Sequence, residues 1–409
     1  MDLDTLTDEV LAQCDLLGGI SEEPGRLTRT FLRPPAKVVQ NHLAEWMTAA
    51  GLHVRIDSVG NVIGRAESPI SRPGVFVVGS HVDTVPDAGK YDGILGVLLG
   101  IATAKALRGR RFTHALDVVA FSEEEGVRFR TPYIGSRAVC GTLSAELLAR
   151  RDADGLTVSD AIRAFGLGLD SVQAAAYPPG TVVGYFEAHI EQGPVLEARG
   201  LSLGVVPAIM GQTRAWVRFV GQAGHAGTQP MDIRKDALAA AAEFITTVER
   251  MGQSTAGLRA TVGSLTVSPN ATNVVAGEVR LSLDVRHAGD TVRRQAVEQL
   301  FAKAHAIGSG RGIRVEIEPG LEQSAVACDS VLLSRLADVL RSEGHSPEWV
   351  VSGAGHDAVI MADIAPVAML FLRSPGGISH HPDESVRRED VRVALGVMVR
   401  FVANEVGVA

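Results

Sequence analysis

Three short segments that follow apolar runs, and a fourth near the C-terminus, are rich in histidine, aspartate and glutamate. They read GSHVDTVPDAGKYDGILG (79–96), FSEEEG (121–126), EAHIEQGP (187–194) and GISHHPDE (377–384). Imidazoles and carboxylates without a thiolate are typical ligands of paired divalent cations, which polarise a carbonyl group and activate water near neutral pH. The candidate ligands are His81, Asp92, Glu125, His189 and His380.

Two of these segments contain neighbouring polar groups suited to different roles at a metal site. Asp83 lies two residues from His81 and is available to fix the tautomer of that imidazole without binding the ion itself. Successive side chains at the end of a strand diverge, so one carboxylate of FSEEEG can bind a cation while its neighbour faces substrate as a general base. An isolated histidine or acidic turn is usually structural or solvated. Five such donors in one domain indicate a metal site.

The composition indicates a globular protein with two domains. The chain has 409 residues, 46% hydrophobic and 21% charged, and exceeds the ~250–300 residues at which single cores stop growing. A net charge of −8 without a long basic run argues against nucleic acid as a partner. Three scattered cysteines argue against a disulfide framework. No signal-like start or apolar run of about 18 residues occurs, so we predict a cytoplasmic protein without a membrane partner.

The elements that must position these ligands alternate between strand and helix. Helical patterns at 35–50 and 93–107 separate strand candidates at 53–56, 74–78 and 115–121. This order predicts an α/β fold with a mostly parallel mixed sheet and helices on both faces. Ligands collect at the carboxyl ends of such strands, which is where His81 and FSEEEG lie.

The middle of the chain predicts a second domain inserted into the first. Strand patterns at 212–220, 258–267, 274–285 and 313–317 enclose helical patterns at 232–250 and 291–307, which is the βαββαβ order of a ferredoxin-like domain. Helical patterns then return at 330–343 and 356–362, followed by an apolar strand at 365–372. We therefore predict a catalytic metal-binding domain at 1–210 plus 325–409 and an inserted domain at 211–324.

The ordered set of motifs resembles the dinuclear-metal amidohydrolases that include N-carbamoyl-L-amino acid hydrolase, β-ureidopropionase and allantoate amidohydrolase, which are relatives of the aminoacylase-type metallopeptidases. The similarity covers nearly the whole chain and implies that fold. It also implies that His81, Asp92 and His189 hold one ion, with Asp92 bridging to a second ion held by Glu125 and His380. The EEG ending of FSEEEG corresponds to the base-then-ligand pair of this family.

The resemblance settles two ambiguous positions and adds substrate contacts. It implies that Glu124, not Glu123, is the general base, and that the Gly-x-Ser-His pattern selects His380 over His381, which receives no role. In the inserted domain, a lid and dimerisation domain in this family, GQAGHAGTQP, PNATNVV and DVRH supply an oxyanion donor and substrate contacts. The implied substrate-binding residues are Gln192, His225, Asn273, Arg286 and His356, with His225 also catalytic. The fork of an arginine suits a substrate carboxylate.

The resemblance implies hydrolysis of the ureido amide of a small carboxylate substrate, with release of ammonia and carbon dioxide. DAGKYDG and EEGVRFRTPYIGS rank allantoate first, and N-carbamoyl-L-amino acid hydrolase or β-ureidopropionase is the alternative. An aminoacylase, a peptidase or a non-catalytic dimeric binding protein is more remote. Mixed nitrogen and oxygen ligation favours two divalent ions, Zn²⁺ or Mn²⁺, with Co²⁺ and Ni²⁺ as alternatives. The implied partners are an anionic ureido substrate and a second copy of the chain.

A rival motif, Gly200-Leu-Ser-Leu-Gly204, matches the nucleophile elbow of serine hydrolases. That device requires a strand, a sharp turn and then a helix. Here Val205, Val206 and Pro207 follow and continue a strand pattern, so we reject this interpretation.

Overall fold

The apolar segments that precede the polar motifs form strands of a seven-stranded sheet in a computed structural model, which describes residues 2–70, 74–169 and 175–408. The contacts within the chain define two units. The first ends at Pro207 and resumes at Cys328, and the second runs from Ala208 to Ala327. The predicted insertion at 211–324 lies within the second unit.

The first part of unit 1 carries most of the sheet. Its elements are α1 (Leu3–Gly18), α2 (Pro34–Ala49), β1 (His53–Ile56), β2 (Val62–Ala66), β3 (Val75–His81), α3 (Ile94–Ala106), β4 (Ala115–Phe121), α4 (Ile134–Val139), α5 (Ala145–Leu148), α6 (Val158–Ala164), β5 (Val182–Ile190), α7 (Val195–Ala198) and β6 (Leu203–Val206).

Unit 2 and the return to unit 1 complete the chain. Unit 2 contains β7 (Ala208–Ile209), β8 (Gly211–Val220), β9 (Gly224–His225), a 3-10 helix (Met231–Ile233), α8 (Ala237–Ser254), β10 (Arg259–Thr261), β11 (Leu265–Ser268), β12 (Val274–Val275), β13 (Glu278–His287), α9 (Asp290–Gly310), β14 (Arg314–Gln323) and β15 (Val326–Ala327). Unit 1 then adds α10 (Ser330–Ser342), α11 (Ala358–Met361), β16 (Val367–Leu372), a 3-10 helix (Pro375–Gly377) and α12 (Arg388–Val406).

The strand order of the large sheet is β1-β2-β4-β3-β5-β16-β6. The four central strands β4, β3, β5 and β16 are parallel, and the other three pair antiparallel with their neighbours. The predicted α/β class with a mostly parallel mixed sheet is therefore confirmed. Because parallel strands end at the same edge, the residues at the ends of the central strands are brought together.

Helix α3 is packed on all sides, which matters because the loop before it carries Asp92. Every residue from Ile94 to Ala104 is buried, as expected for a helix that is apolar all round. Gly96 lies so close to β5 that a Cβ there would be 2.1 Å from the carbonyl oxygen of Ala188. This close approach holds the start of α3 beside the strand that carries His189.

Unit 2 has its own core between a five-stranded sheet and two helices. Its sheet has the order β10-β13-β8-β14, with β11 also paired to β13. Val217 and Phe219 of β8 pack in one cluster with Phe244 of α8 and Leu300 of α9. The alternation of buried and less buried residues along β8 reflects helices on only one face of the strand.

Several predicted element boundaries are wrong. The predicted strand 258–267 is two strands, β10 and β11, and the predicted strand 274–285 is β12, which pairs with β9, followed by β13. The predicted helix 232–250 begins only at Ala237, because the Asp236 carboxylate accepts N–H hydrogen bonds from Leu238 and Ala239 and caps the helix there. The predicted helix 356–362 is the shorter α11. Among the described residues, no helix is long and apolar enough to span a membrane.

A buried ion pair ties α12 to the strand that leads into the C-terminal polar segment. Arg373, just after β16, donates to both carboxylate oxygens of Asp390 at 2.8 and 2.7 Å, and the Asp390 side chain is fully buried. Arg373→Met would leave that charge buried without a partner, so we expect the free energy of unfolding to fall by about 3–5 kcal/mol. Denaturant-induced unfolding measures this.

The matched control is Arg341→Met, which removes the exposed pair between Arg341 and Asp338. Exposed pairs contribute at most about 1 kcal/mol, so this variant should unfold close to the wild-type midpoint. Equal destabilisation by the two substitutions would contradict the account of the buried pair.

Candidate metal centre

Two imidazoles from neighbouring parallel strands face each other. His81 is the last residue of β3 and His189 is the penultimate residue of β5, so both belong to the strands instead of following them as predicted. Their Nε2 atoms are 3.5 Å apart. Nδ1 of His81 lies 3.0 Å from the Asp83 carbonyl, and Nδ1 of His189 lies 2.9 Å from the Ile190 carbonyl. These acceptors assign the proton of each neutral ring to Nδ1 and leave both Nε2 lone pairs for a cation.

Asp92 is the group that three histidines share. Its Oδ1 lies 3.2 Å from Nε2 of His189 and 3.8 Å from Nε2 of His81. Its other oxygen, Oδ2, lies 3.1 Å from Nε2 of His380. One oxygen thus faces each side of the centre, which is the arrangement that a carboxylate shared between two cations requires.

The second side of the centre is formed by Glu125 and His380, whose Oε1 and Nε2 atoms are 3.5 Å apart. Asp83 holds this side through its carboxylate, which accepts the backbone N–H groups of Glu124 at 2.9 Å and Glu125 at 3.1 Å. Oδ1 of Asp83 is also 3.4 Å from Nδ1 of His81. Asp83 therefore positions both the glutamate turn and the imidazole of His81. Only its contact with His81 could be predicted from the sequence, because those two residues are two positions apart.

The side chains form overlapping triads whose ligand atoms lie within 4.8 Å of one another. Two triads share Asp92, and they are His81–Asp92–His189 and Asp92–Glu125–His380. Two further triads are His81–Glu124–Glu125 and Glu187–His189–His356. The structure thus brings together the five predicted ligands, and their nitrogen and oxygen donors fit a pair of divalent cations. That they bind metal stays a prediction.

The charges of the centre are poorly balanced by the protein alone. Burial opposes ionisation of Asp92, but hydrogen bonds to His189 and His380 hold its pKa well below the ordinary value. The hydrogen bond to Asp92 raises the pKa of His380 to about 9. Burial raises the pKa of Glu124 well above its usual value, and burial together with the charge of Asp92 raises that of Glu125 to about 7. Divalent cations among these carboxyl groups would relieve the repulsion.

The structure distinguishes the residues that the sequence left ambiguous. Glu123 is fully buried and is absent from the triads found among the described residues. His381 is exposed and pairs with Asp383. Glu124 is buried and forms a triad with His81 and Glu125. The base position predicted for Glu124 is therefore adjacent to the centre.

Two of the predicted substrate contacts in unit 1 touch the ligands. Gln192 directs its Nε2 at both oxygens of Asp92, at 3.2 and 3.1 Å. His356 is buried, its Nε2 lies 2.8 Å from the Ser352 hydroxyl, and its ring stands edge-on to His189 with centroids 4.6 Å apart. Burial holds the pKa of His356 well below the ordinary value, so its ring is neutral. Contact with substrate stays a prediction for both residues.

The other three predicted contacts belong to unit 2. His225 is exposed in β9, where its Nδ1 accepts the N–H of Gly227 at 3.1 Å. Asn273 is exposed and its carbonyl accepts the N–H of Ala226. Arg286, in β13, makes a bidentate pair with Asp284 at 2.8 Å for both bonds. The Arg286 guanidinium group, which is predicted to hold a substrate carboxylate, thus contacts a carboxylate of its own strand.

Sequence reasoning missed three buried acids of this region. Glu187 accepts hydrogen bonds from Tyr185, Ser80 and the backbone N–H of Ala358. Asp357 and Glu384 are also buried. Each lies inside or beside a segment that contains a predicted ligand or contact, but residue type does not show which acid of such a segment turns inward.

The chain is similar to characterised proteins over nearly its whole length. The sequence profile described as "Peptidase family M20/M25/M40" matches residues 77–404. An N-carbamoyl-L-amino acid amidohydrolase of Geobacillus stearothermophilus is 40% identical over 94% of this chain and 95% of its own. Allantoate deiminase 2 of Glycine max is 38% identical over 98% of this chain and 89% of its own.

A solved structure is similar in fold as well as in sequence. The amidase of the hydantoinase/carbamoylase family from Burkholderia multivorans superposes with a TM-score of 0.91, is 32% identical and covers 98% of each chain. The resemblance inferred from the motifs is confirmed by these matches.

Proposed function

The chain belongs to peptidase family M20/M25/M40, and from this premise we propose that it hydrolyses the ureido C–N bond of a small carboxylate substrate. Allantoate is the first choice, because relatives named allantoate deiminase match it over nearly its full length. N-carbamoyl-L-amino acids are the second choice, since the Geobacillus relative is 40% identical over 94% of the chain. The observation that carries the proposal is the Asp92 carboxylate shared between two ligand triads, with Glu124 beside them.

The proposed cofactor is a pair of divalent cations. His81 and His189 would hold one, Glu125 and His380 the other, and Asp92 would lie between them. Zn²⁺ or Mn²⁺ is our first choice, and Co²⁺ and Ni²⁺ suit the same mixed ligands. When bound, such ions supply Lewis acidity to the substrate carbonyl and lower the pKa of water.

Glu124 is the proposed proton carrier of the reaction. It accepts a proton from the attacking water and donates it to the departing nitrogen of the ureido group. Burial raises the pKa of its carboxyl group, which suits a group that must both take and release a proton near neutral pH. His225 is the proposed hydrogen-bond donor to the developing oxyanion.

Gln192, His356, Asn273 and Arg286 are the proposed substrate contacts, and Arg286 is the proposed carboxylate site. Removing a charged hydrogen-bond partner costs about 1.5–3 kcal/mol, so Arg286→Ala should raise KM for an N-carbamoyl amino acid about 10–100-fold. The corresponding uncharged amide should be affected far less. Steady-state kinetics on the acid and the amide measure this difference.

Arg214→Ala is the matched control, because Arg214 donates to the same Asp284 carboxylate at 2.9 Å from the neighbouring strand. We expect KM for the acid to stay within about threefold of wild type in this variant. A loss of equal size on acid and amide in Arg286→Ala would exclude the proposed carboxylate contact.

Ammonia release from allantoate, compared with release from a panel of N-carbamoyl-L-amino acids, tests the proposed function. The highest kcat/KM should be on allantoate. A higher value on an N-carbamoyl-L-amino acid would indicate an N-carbamoyl-L-amino acid hydrolase, and a higher value on β-ureidopropionate would indicate a β-ureidopropionase. Turnover of N-acyl amino acids or dipeptides alone would select an aminoacylase or peptidase, and no turnover of any of them would favour a binding protein.

The assembly and location of the protein remain proposals. We propose a homodimer formed through unit 2, which sedimentation of the purified protein would test, and a cytoplasmic location, which fractionation of the producing cells would test. The small anionic substrate and the second copy of the chain are the only partners that we propose.

A further inference from the structure

We propose that Glu384 is a positioning residue that holds the loop carrying Asp92 against the turn carrying His380, and so keeps both ligands placed for the same cation. This inference rests on the proposed function. It assigns a role to an acid that binds no ion in the scheme above and that lies 292 positions from Asp92 in the chain.

The contacts of Glu384 join the two segments through a single carboxylate. Its Oε1 accepts the consecutive backbone N–H groups of Tyr91, at 2.9 Å, and Asp92, at 3.0 Å. Its Oε2 accepts the hydroxyl of Ser379, the residue before His380, at 3.0 Å. One oxygen therefore fixes the backbone of one ligand, and the other fixes the neighbour of the second ligand.

The loop is folded closely around this carboxylate. Glu384 is only 4% exposed, and a Cβ placed on Gly89 would lie 2.4 Å from its Oε1. The backbone N–H of Glu384 donates to the carbonyl of His381 at 3.0 Å, which folds the turn back toward His380. A buried, doubly anchored carboxylate has little freedom to move, so the segments that it joins are held with the same precision.

The two ligands whose segments Glu384 joins, Asp92 and His380, have their ligand atoms close to each other. Asp92 Oδ2 and His380 Nε2 lie 3.1 Å apart, although Asp92 belongs to the first part of unit 1 and His380 to the part that resumes at Cys328. The His380 backbone adopts a left-handed conformation, φ 56°, which a residue other than glycine keeps only when its surroundings impose it. Hydrogen bonds to the residues that carry ligands typically change metal affinity 10–100-fold when they are removed.

Three substitutions separate position from charge. Glu384→Ala removes both arms of the link. Glu384→Asp keeps the charge but is about 1.5 Å shorter, so it cannot reach both segments. Glu384→Gln loses the charge but keeps the length, its carbonyl can accept both N–H groups, and its amide can donate to the Ser379 hydroxyl.

The experiment measures the free Zn²⁺ concentration at which each purified full-length protein is half-loaded, by dialysis against zinc buffers and metal analysis. We expect Glu384→Ala and Glu384→Asp to need about 10–100-fold more free Zn²⁺ than wild type, and Glu384→Gln to stay within about threefold. Should Glu384→Ala not fold, Glu384→Asp and Ser379→Ala, which removes only the Oε2 arm, carry the same test.

Asp329→Ala is the matched control. Asp329 is likewise a carboxylate that accepts two consecutive backbone N–H groups, those of Val331 and Leu332 at 3.0 and 2.9 Å, but at the start of α10. It should lose thermal stability and load Zn²⁺ as wild type does. A merely structural Glu384 would behave in the same way.

The possible outcomes separate this inference from the proposed function. If wild type binds Zn²⁺ and the alanine and aspartate variants load equally well, Glu384 does not position the ligands. If Glu384→Asp loads normally and Glu384→Gln does not, charge and not position is responsible, and the inference is wrong. Wild-type protein that binds no Zn²⁺ would refute the metal hydrolase itself, and the inference with it.

Discussion

Glu124→Gln is expected to lower kcat on a ureido substrate by about 10²–10⁴-fold, the range that positioned proton transfer contributes. Glutamine has the shape of glutamate but can neither take a proton from water nor return one to nitrogen. Glu124 belongs to neither of the two triads that share Asp92, so the metal content should not change. Turnover and metal analysis of the same preparation measure both effects.

Glu123→Gln is the matched control for this variant. Glu123 is the adjacent residue, is fully buried, and burial raises the pKa of its carboxyl group well above the usual value. A glutamine there keeps the size and shape of the side chain, and Glu123 is absent from the triads found among the described residues, so kcat should stay within about threefold of wild type. Near-normal turnover by Glu124→Gln would remove Glu124 from the mechanism, and a collapse in both variants would assign the effect to the turn as a whole.

Asp92→Asn is expected to abolish activity and to reduce the bound metal to at most one ion. Both oxygens of Asp92 face imidazoles, Oδ1 toward His189 and Oδ2 toward His380, whereas an asparagine offers one oxygen and one amide donor. Because metal-ion catalysis supplies several kcal/mol of transition-state stabilisation, the loss in kcat/KM should be about 10³-fold or larger. Metal analysis and initial rates report the two losses.

Variants at two adjacent histidines show whether Asp92 is shared. His380→Ala should weaken binding of one ion only, because His380 belongs to a single triad. His381→Ala is the control, since His381 is exposed and contacts Asp383, and it should retain full metal content and activity. If Asp92→Asn lost no more metal than His380→Ala does, Asp92 would not be a bridging ligand.

The arrangement of the ligands could be predicted because it depends on strand ends. His81, Glu125 and His189 follow or terminate apolar strands, and parallel strands place such residues at one edge of a sheet. The sheet edge that carries the ligands was therefore predictable from hydrophobic patterns. The choice of Glu124 as base and of His380 as ligand needed the resemblance to a family, because each has a neighbour of the same residue type that could take the same role.

Other features depend on which way a side chain turns and could not be predicted. Glu384 lies in the same segment as His380, but its link to Asp92 spans 292 positions and has no local signature. The breaks between β10 and β11 and between β12 and β13 interrupt patterns that look continuous. By contrast, the pairing of Arg286 with Asp284 could have been predicted from the sequence, because residues two positions apart on a strand share a face.

Anomalous diffraction from crystals of the protein grown with Zn²⁺ tests the central claim most directly. We predict two peaks separated by the Asp92 carboxylate, one contacting His81 and His189 and the other contacting Glu125 and His380. A single ion held by Glu187, His189 and His356, which form one of the two triads without Asp92, or ions bound away from Asp92, would contradict the account.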